Sequence, residues 1–213
     1  MQIDGLIFDI DGTIWDSTGV VADAWSMAIK AYGLDIDLSS KYLSGLFGLP
    51  MMTITEKILE NVPNKQYSQK EKEELLSLMS EYELDALEKL GAPVYDGLED
   101  VLEKLSKRYS LAVVSNCQAG YAPLMLRKTG FDKYIKIDLC PDDTGKLKAD
   151  NILIAASRLG MKNPVYVGDT SMDEEATHKA GIPFIHAKYG FGTAKNPEFV
   201  IEKPEDLLEL FDK

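Results

Sequence analysis

A chain of 213 residues, 45% hydrophobic and 27% charged, suits one folded domain with a sizeable insertion or two modest domains. Its net charge of −12, from 35 acids against 23 Lys and Arg with no basic cluster, argues against nucleic acid as a partner. No apolar run reaches the roughly 18 residues that cross a bilayer, MQIDGLIFDIDG lacks the basic region of a signal peptide, and the two cysteines, Cys117 and Cys140, lack metal spacing, so a reduced cytoplasmic protein without a membrane partner is expected.

Residues 3–8 are a nearly continuous apolar run ending at Asp9, which predicts a strand buried on both faces. The interval from about 18 to 90 is helix-rich, with helices expected over 20–32, 53–60 and 69–90 and no good strand. In the last of these, Leu75, Leu78, Met79, Tyr82, Leu84 and Leu87 stand among many charges, a mainly amphipathic pattern. Gly91-Ala92-Pro93 reads as a return linker, and 101–107 as a helix leading into the second strand. Further strands are expected at 110–115, more weakly at 134–139, and at 165–167 and 184–186. Helices over 120–129, 150–159 and 172–180 lie between them, with Gly130, Gly160 and Gly181 where helix C-termini favour glycine. Residues 204–210 read as a last helix opened by Pro204. Alternation of this kind predicts an α/β fold, a doubly wound parallel (Rossmann-like) sheet with an inserted helical cap domain. The core would take 1–17 and 91–213, and the cap 18–90.

In open α/β sheets ligands bind beyond the carboxyl ends of the strands, and the polar residues of this chain fall there. The first strand runs into Asp9-Ile10-Asp11-Gly12-Thr13, the second into Ser115-Asn116, and a later one into Gly168-Asp169-Thr170, with Asp173 one helical turn on. Lys146 and Lys148 precede the helix at 150–159. Carboxylates gathered in one crevice repel unless a cation joins them, and an oxygen-lined site that also meets phosphate suits Mg²⁺. A D-x-D-G-T segment alone is also the composition of a capped turn. Its company, Ser115, a lysine and GDTSMD in this order, is what marks a site.

DIDGT at 9–13, VVSN at 113–116, GKLKAD at 145–150 and VGDTSMD at 167–173 resemble the four motifs of the haloacid dehalogenase-like hydrolases. The likeness covers nearly the whole chain, because the helical insert after DIDGTIWDS resembles that superfamily's helical cap. The outline is most similar to the phosphoglycolate phosphatase-like branch. The first and fourth motifs are highly specific, the serine motif weak alone and the lysine motif loose. Many members carry Lys-Pro where this chain reads Lys148-Ala149-Asp150, so Lys148 is preferred as the motif's lysine while Lys146 stays open.

The resemblance implies a Mg²⁺-dependent phosphatase acting on a small-molecule phosphate monoester, as monomer or homodimer. Asp9 would be the nucleophile and Asp11 the general acid and base. Asp9, Asp169 and the Asp11 carbonyl would ligate the metal, with Asp173 holding a metal-bound water or the lysine. Thr13, Ser115, Asn116 and Lys148 would hold phosphoryl oxygens. The stretch 44–53, with Leu46, Phe47 and Met51, sits where related caps carry a substrate-specificity loop; it contains no Lys, Arg or His, and it could equally be hinge packing. Nothing in it suits a second phosphate, which counts against a phosphomutase of the beta-phosphoglucomutase type, the main alternative; for a phosphoglycolate carboxylate only Lys41 and Asn116 are candidates. A dehalogenase would have little use for Asp11 and Asp169, and a signalling receiver is shorter and lacks a large cap. A non-catalytic phosphate-binding regulatory protein is the remaining reading. His178, His186, Cys117, Trp15 and Trp25 read first as surface or packing residues, and Tyr189-Gly190-Phe191-Gly192 as a loop.

Overall fold

The computed structural model describes residues 2–63 and 65–211. Its centre is a six-stranded sheet of β1 (Gly5–Phe8), β2 (Ser110–Val114), β3 (Ile137–Leu139), β4 (Pro164–Gly168), β5 (Phe184–Ala187) and β6 (Phe199–Ile201), in the order β3-β2-β1-β4-β5-β6. Every pairing is parallel. All four residues of β1 are buried, as a central strand covered on both faces requires. The strand order reverses between β1 and β4, and that switch point is where an open sheet leaves a crevice at its carboxyl edge.

Two apolar clusters flank the sheet. Leu6, Phe8, Val113 and Val165 face one, and Ile7, Ala112, Val114 and Tyr166 the other, as the two-residue alternation of strands demands. The helices between strands are α5 (Leu98–Ser106), α6 (Tyr121–Thr129), the single turn α7 (Pro141–Thr144), α8 (Lys148–Arg158) and α9 (Ser171–Ala180), with α10 (Asp206–Phe211) last. The predicted elements are all present with ends moved by a few residues. The first strand begins at Gly5 rather than residue 3, and the weak run at 134–139 is a strand only over its last three residues, after a 3₁₀ turn at Phe131–Lys133. The short β6, α7 and an extra turn at 40–44 carry too few residues to show a period.

Between β1 and α5 lie α1 (Thr18–Ala31), α2 (Ser40–Ser44), α3 (Met51–Leu59) and α4 (Gln69–Leu90), packed on one another chiefly through α1 and α4. Helix α4 starts at a capping box in which the Ser68 hydroxyl accepts from the Glu71 N–H and the Glu71 carboxylate accepts from the Ser68 N–H. Its buried residues are Leu75, Met79, Glu83 and Leu87, one per turn along a single face. The chain enters and leaves this layer side by side. The Asp16 N–H donates to the Pro93 carbonyl at 2.8 Å, the Tyr95 N–H to the Ile14 carbonyl at 3.2 Å, and Trp15 pairs with Val94 in an antiparallel bridge. No described helix is long and apolar enough to cross a membrane.

Candidate active site

Strand β1 delivers Asp9 to the carboxyl edge of the sheet, where it is 2% exposed. Helix α8 delivers Lys148 from the other side of the crevice, and its Nζ lies 2.8 Å from Asp9 Oδ1 and 2.5 Å from Asp173 Oδ1. Burial works against the Lys148 charge, but Asp173 and Asp9 overcome it and hold the ammonium above its ordinary range. Burial and the charge of Asp173 push the Asp9 carboxyl up, while Lys148 pulls it down. Lys146 is exposed and makes no ion pair among the described residues. Of the two candidate lysines, only Lys148 reaches the acids.

Asp173 has a partner on each oxygen. Oδ1 faces Lys148, while Oδ2 accepts from the Thr170 N–H at 2.9 Å and the Thr170 hydroxyl at 2.6 Å in the capping box that opens α9. Asp169 is different. Its Oδ2 accepts from the N–H groups of Phe191 at 3.1 Å and Gly192 at 2.8 Å, but its Oδ1 is buried with no partner. Burial first, then the charges of Asp173 and Asp9, lift the Asp169 carboxyl to about 8, against the pull of the two N–H groups. Oxygens of Asp9, Asp169 and Asp173 lie within 4.8 Å of one another. A bare buried carboxylate oxygen among like charges costs free energy that a divalent cation would remove, so the donor set fits a metal that prefers oxygen.

Two glycines make room for this cluster. Gly12 has φ +81°, and a Cβ there would collide with the Asp169 carboxylate; a Cβ on Gly190 would collide with the Gly12 carbonyl and the Asp169 side chain. The 189–192 loop, read from sequence as a plain connection, thus forms one wall of the site.

Asp11 follows the turn after Asp9. Three donors converge on its Oδ1: Ser17 Oγ at 2.6 Å, Tyr121 Oη at 2.6 Å and Trp15 Nε1 at 3.1 Å. Ser17 and Tyr121 are also 2.9 Å apart. Each hydroxyl owns one proton, so an ionised Asp11 takes both, while a protonated Asp11 frees one to bridge Ser17 and Tyr121. The trio therefore satisfies either protonation state. Burial lifts the Asp11 carboxyl to about 6, against the Ser17, Tyr121 and Trp15 donors and with help from Asp16. No spacing in the sequence links residues 17 and 121 to Asp11, and nothing in the sequence marks Tyr121; only the structure shows it buried at the start of α6.

Thr13 Oγ1 is buried without a partner, and Ser115, at the carboxyl edge of β2, is 6% exposed. A cavity of about 30 Å³, which Thr13 does not line, separates the sheet edge from the α1–α4 layer, bordered by Asp9, Asp11 and Ser115 below and by Trp25, Phe47, Met51 and Glu83 above. Phe47 and Met51 thus line it, whereas Leu46 is buried with the apolar core and is not among its lining residues. The layer is latched down. Asn116 Nδ2 donates to the Gly48 carbonyl at 2.8 Å, and the Phe47 ring meets Trp25 and Phe191 edge-on at 6.1 and 5.9 Å. A larger outer cleft of about 450 Å³ shares Met51, Asn116, Cys117 and Gln118 with the cavity.

Several other residues sort plainly. His186 bonds the Asp169 carbonyl at 3.0 Å, and His178 lies on the surface against Glu198. A hydrogen bond with the Cys140 thiol, then burial, pushes the Cys117 thiol well up, which leaves it a poor nucleophile.

Comparison with known proteins agrees with this geometry. A sequence model of the haloacid dehalogenase-like hydrolases matches residues 6–187. An N-acetylmuramic acid 6-phosphate phosphatase from Pseudomonas aeruginosa is 25% identical over 130 residues, 56% of this chain and 58% of that protein. A phosphoglycolate phosphatase from Cupriavidus necator is 25% identical over 164 residues, 73% of this chain and 68% of that protein. The aligned stretch thus spans little more than half of the first relative. The crystal structure of a predicted phosphoglycolate phosphatase from Haemophilus somnus superposes with a TM-score of 0.87 at 21% identity, covering 99% of this chain and 98% of that one, a likeness of fold. By the family match over most of its length, the chain belongs to the haloacid dehalogenase-like hydrolases.

Proposed function

We propose that the chain is a Mg²⁺-dependent phosphatase that hydrolyses a small-molecule phosphate monoester through an aspartyl-phosphate on Asp9. The observation that carries this reading is Lys148 seated between Asp9 and Asp173 beside an Asp169 oxygen with no partner. The relatives named as phosphatases support the same class of reaction.

Asp9, Asp169 and the Asp11 carbonyl would hold Mg²⁺. When bound, it neutralises negative charge where the transferring group crowds against the acids. A carboxylate oxygen of Asp9 attacks phosphorus while the bond to the ester oxygen breaks, and Asp11 gives that oxygen its proton. Water then attacks the phosphorus of the aspartyl-phosphate, its proton passes to Asp11, and the bond to Asp9 breaks to release phosphate. Thr13, Ser115, Asn116 and Lys148 would hold the phosphoryl oxygens, and Asp173 would keep Lys148 in place. Residues 18–90 would act as the cap, excluding water while Phe47 and Met51 face the leaving group. A mutase would need a cationic grip for a second phosphate, and no Lys or Arg is among the residues lining the cavity.

The test is phosphate release from a panel of metabolite monophosphates, with Mg²⁺ and with a chelator. Asp9→Asn, nearly isosteric and a poor nucleophile, is expected to abolish release. Undiminished release from that variant overturns the mechanism, and no release by folded, Mg²⁺-binding protein overturns the phosphatase reading.

A further inference from the structure

Glu83 is the one charged side chain at the cavity that phosphoryl transfer leaves without a task. It occupies the buried face of α4 between Met79 and Leu87, where the period of the helix calls for hydrocarbon. The residue is 3% exposed. Its Oε2 accepts from Gln118 Nε2 at 2.7 Å and from Trp25 Nε1 at 3.2 Å, both neutral donors. Its Oε1 accepts from none of the described residues, and the side chain borders the cavity across from Asp9 and Asp11. Burial lifts the carboxyl to about 8, the Gln118 donor pulling against it and the Asp11 charge adding to it.

Stability does not account for such a residue. A buried acid with no cationic partner costs more than the leucine that would fit the same stripe. The described surroundings supply no cation either. Among the described residues, neither the cavity nor the outer cleft is lined by Lys, Arg or His, and the cleft adds Glu73 and Asp142. What the cavity does offer beside Glu83 is the pair of rings Trp25 and Phe47, in edge contact at 6.1 Å. A buried carboxylate with one oxygen unpartnered among the described residues, in apolar surroundings and with no cation beside it, is a receptor for a positively charged nitrogen.

We propose, building on the phosphatase reading, that Glu83 determines substrate specificity by receiving on Oε1 an ammonium group carried by the leaving group, so that the substrate is a short aminoalkyl phosphate monoester. The ammonium lets the acid ionise within a pair, and Trp25 and Phe47 line the cavity around it. An anionic leaving group would meet Asp11 and Glu83 with no cation to receive it. Glu83 and Asp9 border the same small cavity, so an ammonium on Glu83 lies only a few bonds from a phosphorus at Asp9, which favours a short leaving group.

Three two-carbon esters of similar length separate the possibilities by charge alone: 2-aminoethyl phosphate, 2-hydroxyethyl phosphate and carboxymethyl phosphate. Their kcat/KM values are measured with the Mg²⁺-loaded full chain, and p-nitrophenyl phosphate serves as the general reporter of phosphatase activity. The expected order is amino above hydroxyl above carboxylate, with roughly tenfold at each step, the worth of one charge-assisted hydrogen bond. Glu83→Gln keeps an oxygen for Trp25 and Gln118 and should lower the amino-to-carboxylate ratio at least about tenfold; a general loss of activity cancels in that ratio. A wild-type preference for the carboxylate ester, or the same ratio in the variant, overturns the assignment. Wild type that turns over p-nitrophenyl phosphate without charge preference overturns it too, while leaving the phosphatase reading intact. Wild type inert toward all four esters overturns both.

Discussion

Replacing Lys148 by Met removes the only cation among the described residues in contact with two buried carboxylates. Asp9 and Asp173 lie 2.8 and 2.5 Å from Nζ, and all three side chains are at most 4% exposed. Water cannot take over the role of the ammonium at that depth. Breaking a buried pair by deleting one partner costs about 3–5 kcal/mol, because the other charge stays behind unpaired. With a urea slope of about 2–3 kcal/mol per molar, that is a drop of roughly 1–2 M in the denaturation midpoint of metal-free protein at neutral pH. Mg²⁺ should restore only part of it, since an ion held by Asp9 and Asp169 would offset the Asp9 charge but would not replace the ammonium that Asp173 Oδ1 has lost. Two controls bracket the effect. Lys146→Met, at an exposed position, should stay within about 0.5 kcal/mol of wild type. Adding Asp173→Asn to Lys148→Met should recover part of the stability, because it deletes one of the two stranded charges. In the phosphate-release assay Lys148→Met should lose about 10²–10³-fold in kcat, the usual loss for one donor to the transferring group. A midpoint unmoved by Lys148→Met, or moved equally by Lys146→Met, refutes the placement of the lysine between the two acids.

Tyr121→Phe removes one of three donors to Asp11 Oδ1 and leaves the ring in place; kcat should fall by about tenfold with KM little changed, the worth of one hydrogen bond to a charged group, and an unchanged kcat sinks the positioning role. Asp169→Asn still accepts the Phe191 and Gly192 N–H groups but loses the bare anionic oxygen. Mg²⁺ at about 100 times its Kd should therefore stabilise wild type by about 2.7 kcal/mol in thermal melts and the variant hardly at all; equal stabilisation of both would place the ion elsewhere.

The legible parts of this chain were those governed by short-range rules. Strand β1 showed as an apolar run because all of its residues are buried, and α4 showed by its amphipathic pattern ahead of the Gly91-Ala92-Pro93 linker, the structure adding the Ser68–Glu71 capping box that opens it. The acids could be placed at one edge because parallel strands put all their carboxyl ends on the same side. The rest depends on contacts between distant residues. Ser17, Tyr121 and Trp15 meet at Asp11 across more than a hundred positions of chain. Gly190 and Gly192 show their purpose only when Asp169 is seen filling the space a Cβ would take. Glu83 sat in plain view as an acid in an amphipathic helix, where acids usually point to water. Only the phase of the buried stripe Leu75, Met79, Leu87 singles it out.

That stripe and the Asp11 trio share a mechanical connection. The chain crosses into the helical layer over residues 14–17 and returns over 91–95, and the two crossings are tied by the Asp16–Pro93 and Tyr95–Ile14 hydrogen bonds. Trp15 and Ser17, two of the three donors to Asp11, lie within the outward crossing itself. The third donor, Tyr121, begins α6, the helix that follows the loop carrying Gln118, which holds Glu83. A cavity of about 30 Å³ has room for little more than a water molecule, so a substrate enters only if the layer lifts. If the layer opens by rotation about those crossings, Trp15 and Ser17 would shift against Asp11 as Glu83 separates from Gln118, and closure over a substrate would reverse both movements together. On the proposed mechanism, the geometry that would read the leaving group and the geometry that would ready Asp11 to protonate it are completed in the same motion, a route by which binding energy from the remote end of a substrate would reach the reacting bond.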